Sequence, residues 1–164
     1  MLVTELLLQA FNKLLMNLAL QIMPIRKANA EWNGNLQDGK GTLELGSGAF
    51  KGSYSFKSRF KDGEGTNPEE LIGAAHAGCY SMALSNELAE AGYEPNAVET
   101  KAEVTFDMVD GNPTIKSIKL MVDADVPEID ESEFMEHAQG AKENCPVSKA
   151  LAGVDIKLDA TLKN

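Results

Sequence analysis

The stretch Asn67–Gly92 constrains the fold of this chain most, because it carries the signals that start and stop a helix. Asn67 is a good N-cap, Pro68 suits the first helical position, and Glu70 stands where it closes a capping box. Gly92 is typical of the residue that ends a helix. The stretch therefore predicts one long helix.

The centre of this helix is a run of very small residues that leads into Cys79. The run consists of Ala74, Ala75, Ala77 and Gly78. A glycine inside a helix costs about 1 kcal/mol relative to alanine, and the close approach of another backbone is the usual compensation. We therefore expect a central, buried helix that another element touches at Cys79. A free cysteine in such a place is often only a small buried hydrophobe.

The rest of the chain alternates between strand runs and helical runs. Short strands are predicted near 28–32, 42–45 and 53–57, a polar loop over 58–66, longer strands over 98–109 and 114–126, helices over 130–144 and 147–151, and a last strand over 154–162. Asp110-Gly111 is a strong signal for a hairpin between the two long strands. Because the strands occur in hairpin-like runs, we expect an α+β fold with antiparallel sheets rather than a doubly wound fold.

Residues 1–22 stand apart from this pattern. They are rich in leucine, their only charges are Glu5 and Lys13, and their polar residues trace one face of a helix. The polar face argues against a membrane span, and the lack of a basic start argues against a signal peptide. We expect an amphipathic appendage: a natural extra helix, a remnant of cloning, or an over-long start before Met23. Residues 23–164 then form one domain.

Charge and cysteine content narrow the class of protein. The net charge of −10 at pH 7 argues against non-specific binding to nucleic acid or to an anionic membrane. The two cysteines, Cys79 and Cys145, are too few for a disulfide scaffold and favour free thiols in a cytosolic protein. Cys145 precedes Pro146 at an expected helix end, where groups are often accessible. Neither cysteine belongs to a CxxC motif, so the sequence alone does not show that they meet.

Other chemistries fit the same residue types less well. His76 and Cys79 share a helix face, and His137 and Cys145 could complete a tetrahedral zinc set with them. The spacing matches no common zinc motif, and His76 is more simply explained by a helix crossing or a bond to a backbone carbonyl. A Cys-His acyl-transfer site lacks an oxyanion-hole motif. Arg59, just before the long helix, is either a loop charge or a cation that lowers the pKa of a nearby thiol.

Two segments carry a resemblance to a known family: RFKDGEGTNPEELIGAAHAGCYSMALS and NCPVSKAL. Together they resemble the OsmC/Ohr family of hydroperoxide reductases, and the likeness runs in one register from about Met23 to Asn164. The resemblance implies a thiol peroxidase that reduces organic hydroperoxides, and hydrogen peroxide less distinctively. It also implies an intertwined homodimer whose sheets wrap around two central helices.

The resemblance assigns roles to four residues. Cys79 in the GAAHAxC segment would be the peroxidatic cysteine, and Cys145 in the CPVS segment would be the resolving cysteine. Arg59 and Glu70 would complete the site. Attack on the peroxide would leave a sulfenic acid at Cys79, which Cys145 would convert to a disulfide before over-oxidation.

The resemblance also bears on partners. It implies no metal or organic cofactor, and a dithiol as reductant, with dihydrolipoyl groups on partner proteins as the usual candidate. We expect a cytoplasmic location. The alternative is a non-enzymatic redox-sensing or ligand-binding module on the same fold.

Helical geometry predicts how the site is assembled. Glu70 lies about 13 Å from Cys79 along the helix axis and about half a turn out of phase, so the two side chains of one helix cannot touch. The small residues Ala75 and Gly78 would let a second copy of the helix approach across a twofold axis. We therefore expect a site shared between two subunits, in which Glu70 holds Arg59 and Arg59 faces Cys79.

Overall fold

The computed structural model describes residues 25–163, and the appendage expected at 1–22 lies outside the described residues. The elements are β1 (Ala28–Asn33), β2 (Lys40–Leu45), β3 (Lys51–Ser55), α1 (Phe56–Phe60), α2 (Pro68–Glu90), β4 (Ala97–Val109), β5 (Asn112–Asp125), α3 (Glu131–Asn144), α4 (Pro146–Ala150) and β6 (Asp155–Lys163). The predicted α+β class is confirmed. Within residues 25–163, no helix combines the length and the apolar character needed to cross a membrane.

The first sheet is an antiparallel meander of β1, β2 and β3 that has almost no core of its own. Its one buried strand residue is Gly41, which lies under the Tyr54 ring where a Cβ would clash. Tyr54 also packs against Trp32, with 5.2 Å between the ring centroids. Among the helices described between residues 25 and 163, only α1 packs substantially on this sheet. A three-stranded sheet needs a covered hydrophobic face to be stable, and the described residues of a single chain do not provide that cover.

Helix α1 replaces part of the strand and loop that the sequence predicted over 53–66. Ser55 Oγ accepts a hydrogen bond from the Ser58 backbone N–H (3.1 Å), and Ser58 Oγ accepts one from the Ser55 N–H (2.9 Å). This reciprocal pair is a capping box, and it ends β3 and begins a helix at the same point. Because of this turn of helix, Arg59 is presented toward the start of α2.

The helix predicted from Asn67 is α2, and its start signal is confirmed. The Asn67 side chain accepts a hydrogen bond from the Glu70 N–H (2.9 Å). The Glu70 carboxylate does not complete the box, because it accepts a bond from Thr66 Oγ1 instead (3.1 Å). Gly92, just beyond the helix, adopts φ +97°, the left-handed conformation that favours glycine.

The described residues of the chain cover only one face of α2. Its buried residues are Glu69, Gly73, His76, Tyr80, Leu84 and Leu88. The other face is open: a Cβ added at Gly78 would meet no atom within 4 Å, and Met82 is 76% exposed. The close backbone approach expected at the small residues is therefore not made by any described residue of the same chain.

The second sheet has the order β4-β5-β6 and is mixed. A turn with positive φ at Asp110 (51°) and Gly111 (80°) joins β4 to β5, which confirms the predicted hairpin. Strand β6, however, runs parallel to β5, so the expectation of purely antiparallel sheets is wrong there. A parallel neighbour requires a long crossover, and α3 and α4 form that crossover. The core lies between this sheet and helices α2 and α3.

The crossover also determines where Cys145 lies. Helix α3 ends at Asn144, as predicted, because Cys145 precedes Pro146 and leaves the helical region (φ −54°, ψ 122°). Pro146 then opens α4. Cys145 is thus fixed at the junction of two helices that both pack on α2.

Candidate active site

The two cysteines, far apart in the sequence, face each other in the fold. Cys145 Sγ lies 2.9 Å from Cys79 Sγ, and both are free thiols. Cys79 is partly exposed in the middle of α2, whereas Cys145 is fully buried, with 0% of its surface exposed. The sequence had favoured the opposite, a buried Cys79 and an accessible Cys145. Asn144, the last residue of α3, is exposed, but Cys145 is buried because α3 and α4 both pack on α2.

Two hydrogen bonds hold α3 on α2 around the thiols. The buried Tyr80 hydroxyl donates to the Ala138 carbonyl oxygen (2.9 Å). At the end of α3, the Asn144 side-chain amide donates to Glu87 Oε1 (2.9 Å). Asn144 directly precedes Cys145, so this second bond fixes the backbone that presents the buried thiol.

The surroundings of the two thiols differ in their effect on ionisation. Burial raises the pKa of Cys79, and the hydrogen bond with Cys145 raises it further. Burial also opposes ionisation of Cys145, but hydrogen bonds from Cys79 and from the Ser148 backbone and hydroxyl outweigh it, so the pKa of Cys145 lies below its ordinary value. No cation among the described residues of the chain lowers the pKa of Cys79. Within one chain, the exposed thiol is therefore the one that ionises less readily.

Arg59 is held rigidly, but by Glu69. Its Nε lies 3.2 Å from both carboxylate oxygens of Glu69, and its Nη2 lies 2.8 Å from Oε1. The guanidinium also stacks over the rings of Phe106 (4.8 Å) and Phe60 (5.4 Å). A forked ion pair of this kind fixes both the position and the plane of the guanidinium.

The expectation that Glu70 holds Arg59 is wrong, because Glu69 is the partner of Arg59. Glu69 lies on the buried face of α2, in phase with Gly73, and so points toward α1. Glu70 is turned by about 100° from that face and stays exposed, bound by Thr66. Along the helix axis, Glu69 lies about 15 Å from Cys79, so Arg59 does not reach the thiol of its own chain.

Behind the thiols, His76 and Ser148 form a buried polar pair. His76 is 0% exposed, and its Nε2 lies 2.8 Å from Ser148 Oγ. Its Nδ1 meets no polar partner among the described residues, and burial lowers the pKa of the ring. His76 thus fills a helix crossing, as the sequence suggested, but it bonds a hydroxyl and not a carbonyl. In the described part of the chain, no three His, Cys, Asp or Glu residues are grouped as metal ligands.

An apolar cleft of about 270 Å³ adjoins Arg59. It is lined by Trp32, Leu36, Tyr54, Ser55, Phe56, Arg59, Phe60 and Pro68. Most of these side chains are aromatic or aliphatic, and the Arg59 guanidinium is the charged group among them. The cleft suits an apolar group attached to a polar or anionic head.

The fold and the facing thiols define an α+β dithiol protein, and comparison with known proteins gives the family. The family described as OsmC-like protein matches residues 61–159. The chain is 47% identical over 140 residues to the peroxiredoxin OsmC of Escherichia coli (strain K12), which covers 85% of this chain and 97% of that protein. It is 35% identical over 102 residues to the organic hydroperoxide resistance protein OhrB of Bacillus subtilis (strain 168), covering 60% of this chain and 73% of OhrB. The chain belongs to the OsmC-like protein family, and the resemblance seen in the sequence is confirmed.

Solved structures agree with this placement. The crystal structure of Bacillus subtilis OhrB superimposes with a TM-score of 0.64 at 26% identity, covering 82% of this chain and 98% of that one. An OsmC-like protein from Mycoplasma pneumoniae gives a TM-score of 0.70 at 17% identity, covering 87% and 100% respectively, and supports the fold alone.

Proposed function

We propose that this chain is a thiol peroxidase that reduces organic hydroperoxides, and hydrogen peroxide as well, through a Cys79–Cys145 disulfide. The observation that carries the proposal is the 2.9 Å separation of the two sulfurs, one exposed and one buried. The names of the relatives, a peroxiredoxin and an organic hydroperoxide resistance protein, support the same activity.

The reaction follows from the placement of the thiols. The Cys79 thiolate attacks one peroxide oxygen, the O–O bond breaks, and the alcohol leaves after taking up a proton. Cys79 is then a sulfenic acid, and Cys145 displaces its hydroxyl as water to form the disulfide. An external dithiol reduces the disulfide and restores both thiols. Dihydrolipoyl groups on a partner protein in the cytoplasm are our candidate for this dithiol.

The aromatic cleft supports an organic peroxide as the substrate. Its apolar lining would bury a hydrocarbon group, while Arg59 at its wall would donate hydrogen bonds to the peroxide oxygens. Hydrogen peroxide has no group to fill the cleft. We therefore expect bulky apolar hydroperoxides to react with higher kcat/KM than hydrogen peroxide.

A homodimer accounts for three features of the single chain. Among residues 25–163, the first sheet lacks a core of its own, nothing covers the face of α2 around Gly78, and no cation lowers the pKa of Cys79. A second copy of α2 packed against Gly78 across a twofold axis would cover the open face. The first sheet of each subunit would then lie on its partner.

The same arrangement would complete the site. In this proposal Arg59 of one subunit, held by its own Glu69, faces Cys79 of the other subunit. The positive charge then offsets the burial that raises the pKa of Cys79 and stabilises the thiolate. The shared site expected from the sequence is thus retained, with Glu69 in place of Glu70.

The test is a turnover assay on a panel of peroxides. Hydrogen peroxide, tert-butyl hydroperoxide and cumene hydroperoxide are supplied in excess with either dihydrolipoamide or a lipoylated protein as reductant. A peroxidase consumes many equivalents per subunit, whereas a redox sensor consumes about one.

Two variants serve as controls in this assay. Cys79→Ser should abolish consumption, and Cys145→Ser should consume a first equivalent and then lose activity as excess peroxide converts Cys79 to sulfinic acid. Consumption that stops at one equivalent in the wild type with every reductant would overturn the proposal of an enzyme.

A further inference from the structure

We propose that His76 and Ser148 are positioning residues for the resolving step: His76 orients the Ser148 hydroxyl so that it donates a hydrogen bond to the Cys145 thiolate. This inference rests on the proposed function, because it concerns the second half of the same reaction. Its starting point is a buried series of polar groups, from His76 through Ser148 to Cys145, that the first half of the reaction does not use.

Helix geometry places Ser148 against Cys145. Cys145 is the N-cap of α4 and Ser148 is the third residue of that helix, so the two residues are three positions apart in its first turn, although Cys145 makes no side-chain capping hydrogen bond. Ser148 is 7% exposed and Cys145 is 0% exposed, so water does not compete for this contact. The amide and hydroxyl of Ser148 both favour the Cys145 thiolate.

The tautomer of His76 determines which group donates and which accepts in the hydrogen bonds from His76 through Ser148 to Cys145. An N–H group left without an acceptor in the interior costs more than an unused lone pair. Because Nδ1 meets no polar partner in the described chain, the proton belongs on Nε2, which donates it to Ser148 Oγ across 2.8 Å. The Ser148 oxygen then accepts this bond, and its own hydrogen remains free to be donated to the Cys145 sulfur, as the proposal requires.

The groups around Cys145 are consistent with this assignment. The titratable groups that face it from α2 are Cys79, Tyr80 and His76, the last through Ser148, and Glu87 lies one contact further away, on Asn144. The core residues of β6 that pack behind α3 are apolar. None of these groups is a cation, because burial keeps the His76 ring neutral near pH 7. Hydrogen bonding therefore provides the stabilisation of the thiolate.

The consequence concerns the fate of the sulfenic acid. The Cys145 thiolate attacks the Cys79 sulfur, the S–S bond forms as the S–O bond breaks, and the departing hydroxide takes up the proton that Cys145 had lost. Cys79 sulfur is reduced and Cys145 sulfur is oxidised, so no other oxidant is needed. A slower attack leaves the sulfenic acid exposed to a second peroxide molecule, which produces sulfinic acid.

The experiment follows a single turnover of the full chain with tert-butyl hydroperoxide over pH 5.5–8.5. Samples are quenched with dimedone, which labels sulfenic acid, and mass spectrometry counts sulfenic acid, disulfide and sulfinic acid. In Ser148→Ala, disulfide formation at pH 7 should be about tenfold slower, and its pH midpoint should rise by about one unit. Sulfenic acid formation should stay near the wild-type rate, and sulfinic acid should accumulate at lower peroxide doses.

Matched variants separate this role from a structural one. Ser148→Thr restores the hydroxyl and should restore the rate and the pH midpoint. Ser81→Ala removes a part-buried hydroxyl on α2 that donates a hydrogen bond to Thr100 (2.8 Å), and this variant should behave as the wild type. If Ser148→Ala does not fold, His76→Phe keeps the serine but frees its hydroxyl, and it should shift the midpoint in the same direction.

The outcomes distinguish the two proposals. If the wild type forms neither sulfenic acid nor disulfide, the proposed function fails. If the wild type forms both, but Ser148→Ala or His76→Phe leaves the rate and pH midpoint of disulfide formation unchanged, the positioning role is refuted.

Discussion

The contact between Arg59 and Glu69 gives the sharpest prediction, because its neighbour Glu70 is a natural control. Glu69→Gln keeps the shape of the side chain but removes the charge that holds the guanidinium. Glu70→Gln makes the same chemical change one position along the helix, where the one described partner of the carboxylate is Thr66. We expect the first substitution to slow the attack of Cys79 on peroxide and the second to leave it within about twofold.

The structure bounds the size of the effect. A hydrogen bond to a charged group contributes about 1.5–3 kcal/mol, which corresponds to about a 10- to 160-fold change in rate. The Glu69 side chain is only 10% exposed, which favours the upper end, but the Arg59 side chain is 34% exposed, so solvent screens part of the interaction. Stacking on Phe106 also keeps the guanidinium partly in place. We therefore expect about a tenfold loss for Glu69→Gln and a larger loss for Glu69→Ala.

The assay is stopped-flow measurement of the first turnover with cumene hydroperoxide at several pH values. If Arg59 lowers the pKa of Cys79, the rate rises with pH to a plateau, and Glu69→Gln shifts that rise to higher pH. Thermal unfolding checks that both variants remain folded. Equal losses in the Glu69 and Glu70 variants, or no loss in either, would refute the assignment of Glu69.

Three further predictions concern the thiols and the buried histidine. Cys145→Ser should consume one equivalent of peroxide and then accumulate sulfinic acid at Cys79 under excess peroxide; a wild type without a Cys79–Cys145 disulfide by mass spectrometry would contradict this role. Mixing Cys79→Ser subunits with Arg59→Ala subunits, each inactive alone, should restore about one site per heterodimer, whereas inactive heterodimers would mean that each subunit supplies its own pair. Burial lowers the pKa of His76, so the unfolded chain binds this proton more readily, and the stability of the protein falls as the pH drops below the ordinary value of 6.5. Between pH 7 and 5, the melting temperature of His76→Phe should therefore fall less than that of the wild type or of His137→Phe. Identical decreases would show that His76 does not titrate on unfolding.

Features set by neighbouring residues could be predicted from the sequence. The Asn67 cap, the positive φ at Gly92, the hairpin at Asp110-Gly111 and the helix end before Pro146 all depend on local backbone preferences. Helix α1 is the local feature that was missed. The spacing of Ser55 and Ser58 was its signal, but serine there also fits a polar loop.

Features set by distant parts of the chain could not be predicted in the same way. Nothing local to β6 shows that it pairs in parallel with β5, and that pairing is what brings Cys145 to Cys79. The choice of Glu69 over Glu70 was accessible in principle. Glu69 falls in helical phase with the buried residues Gly73 and His76, whereas Glu70 does not. The serine partner of His76 carried no sequence signal, since it lies on a different helix.

The unequal exposure of the two sulfurs also dictates how the oxidised protein is reduced. An incoming dithiol must approach a sulfur in line with the bond it breaks, and Cys145 is closed to it in the single chain and in any larger assembly built from this conformation. The reductant therefore attacks Cys79 and forms a mixed disulfide there. Cys145 is then the leaving group, and the hydrogen bonds from the amide and hydroxyl of Ser148, which favour its thiolate, assist its departure. The burial that shields Cys145 from peroxide thus also allows the disulfide to be reduced only by attack at Cys79, and the oxidised reductant is always released from Cys79.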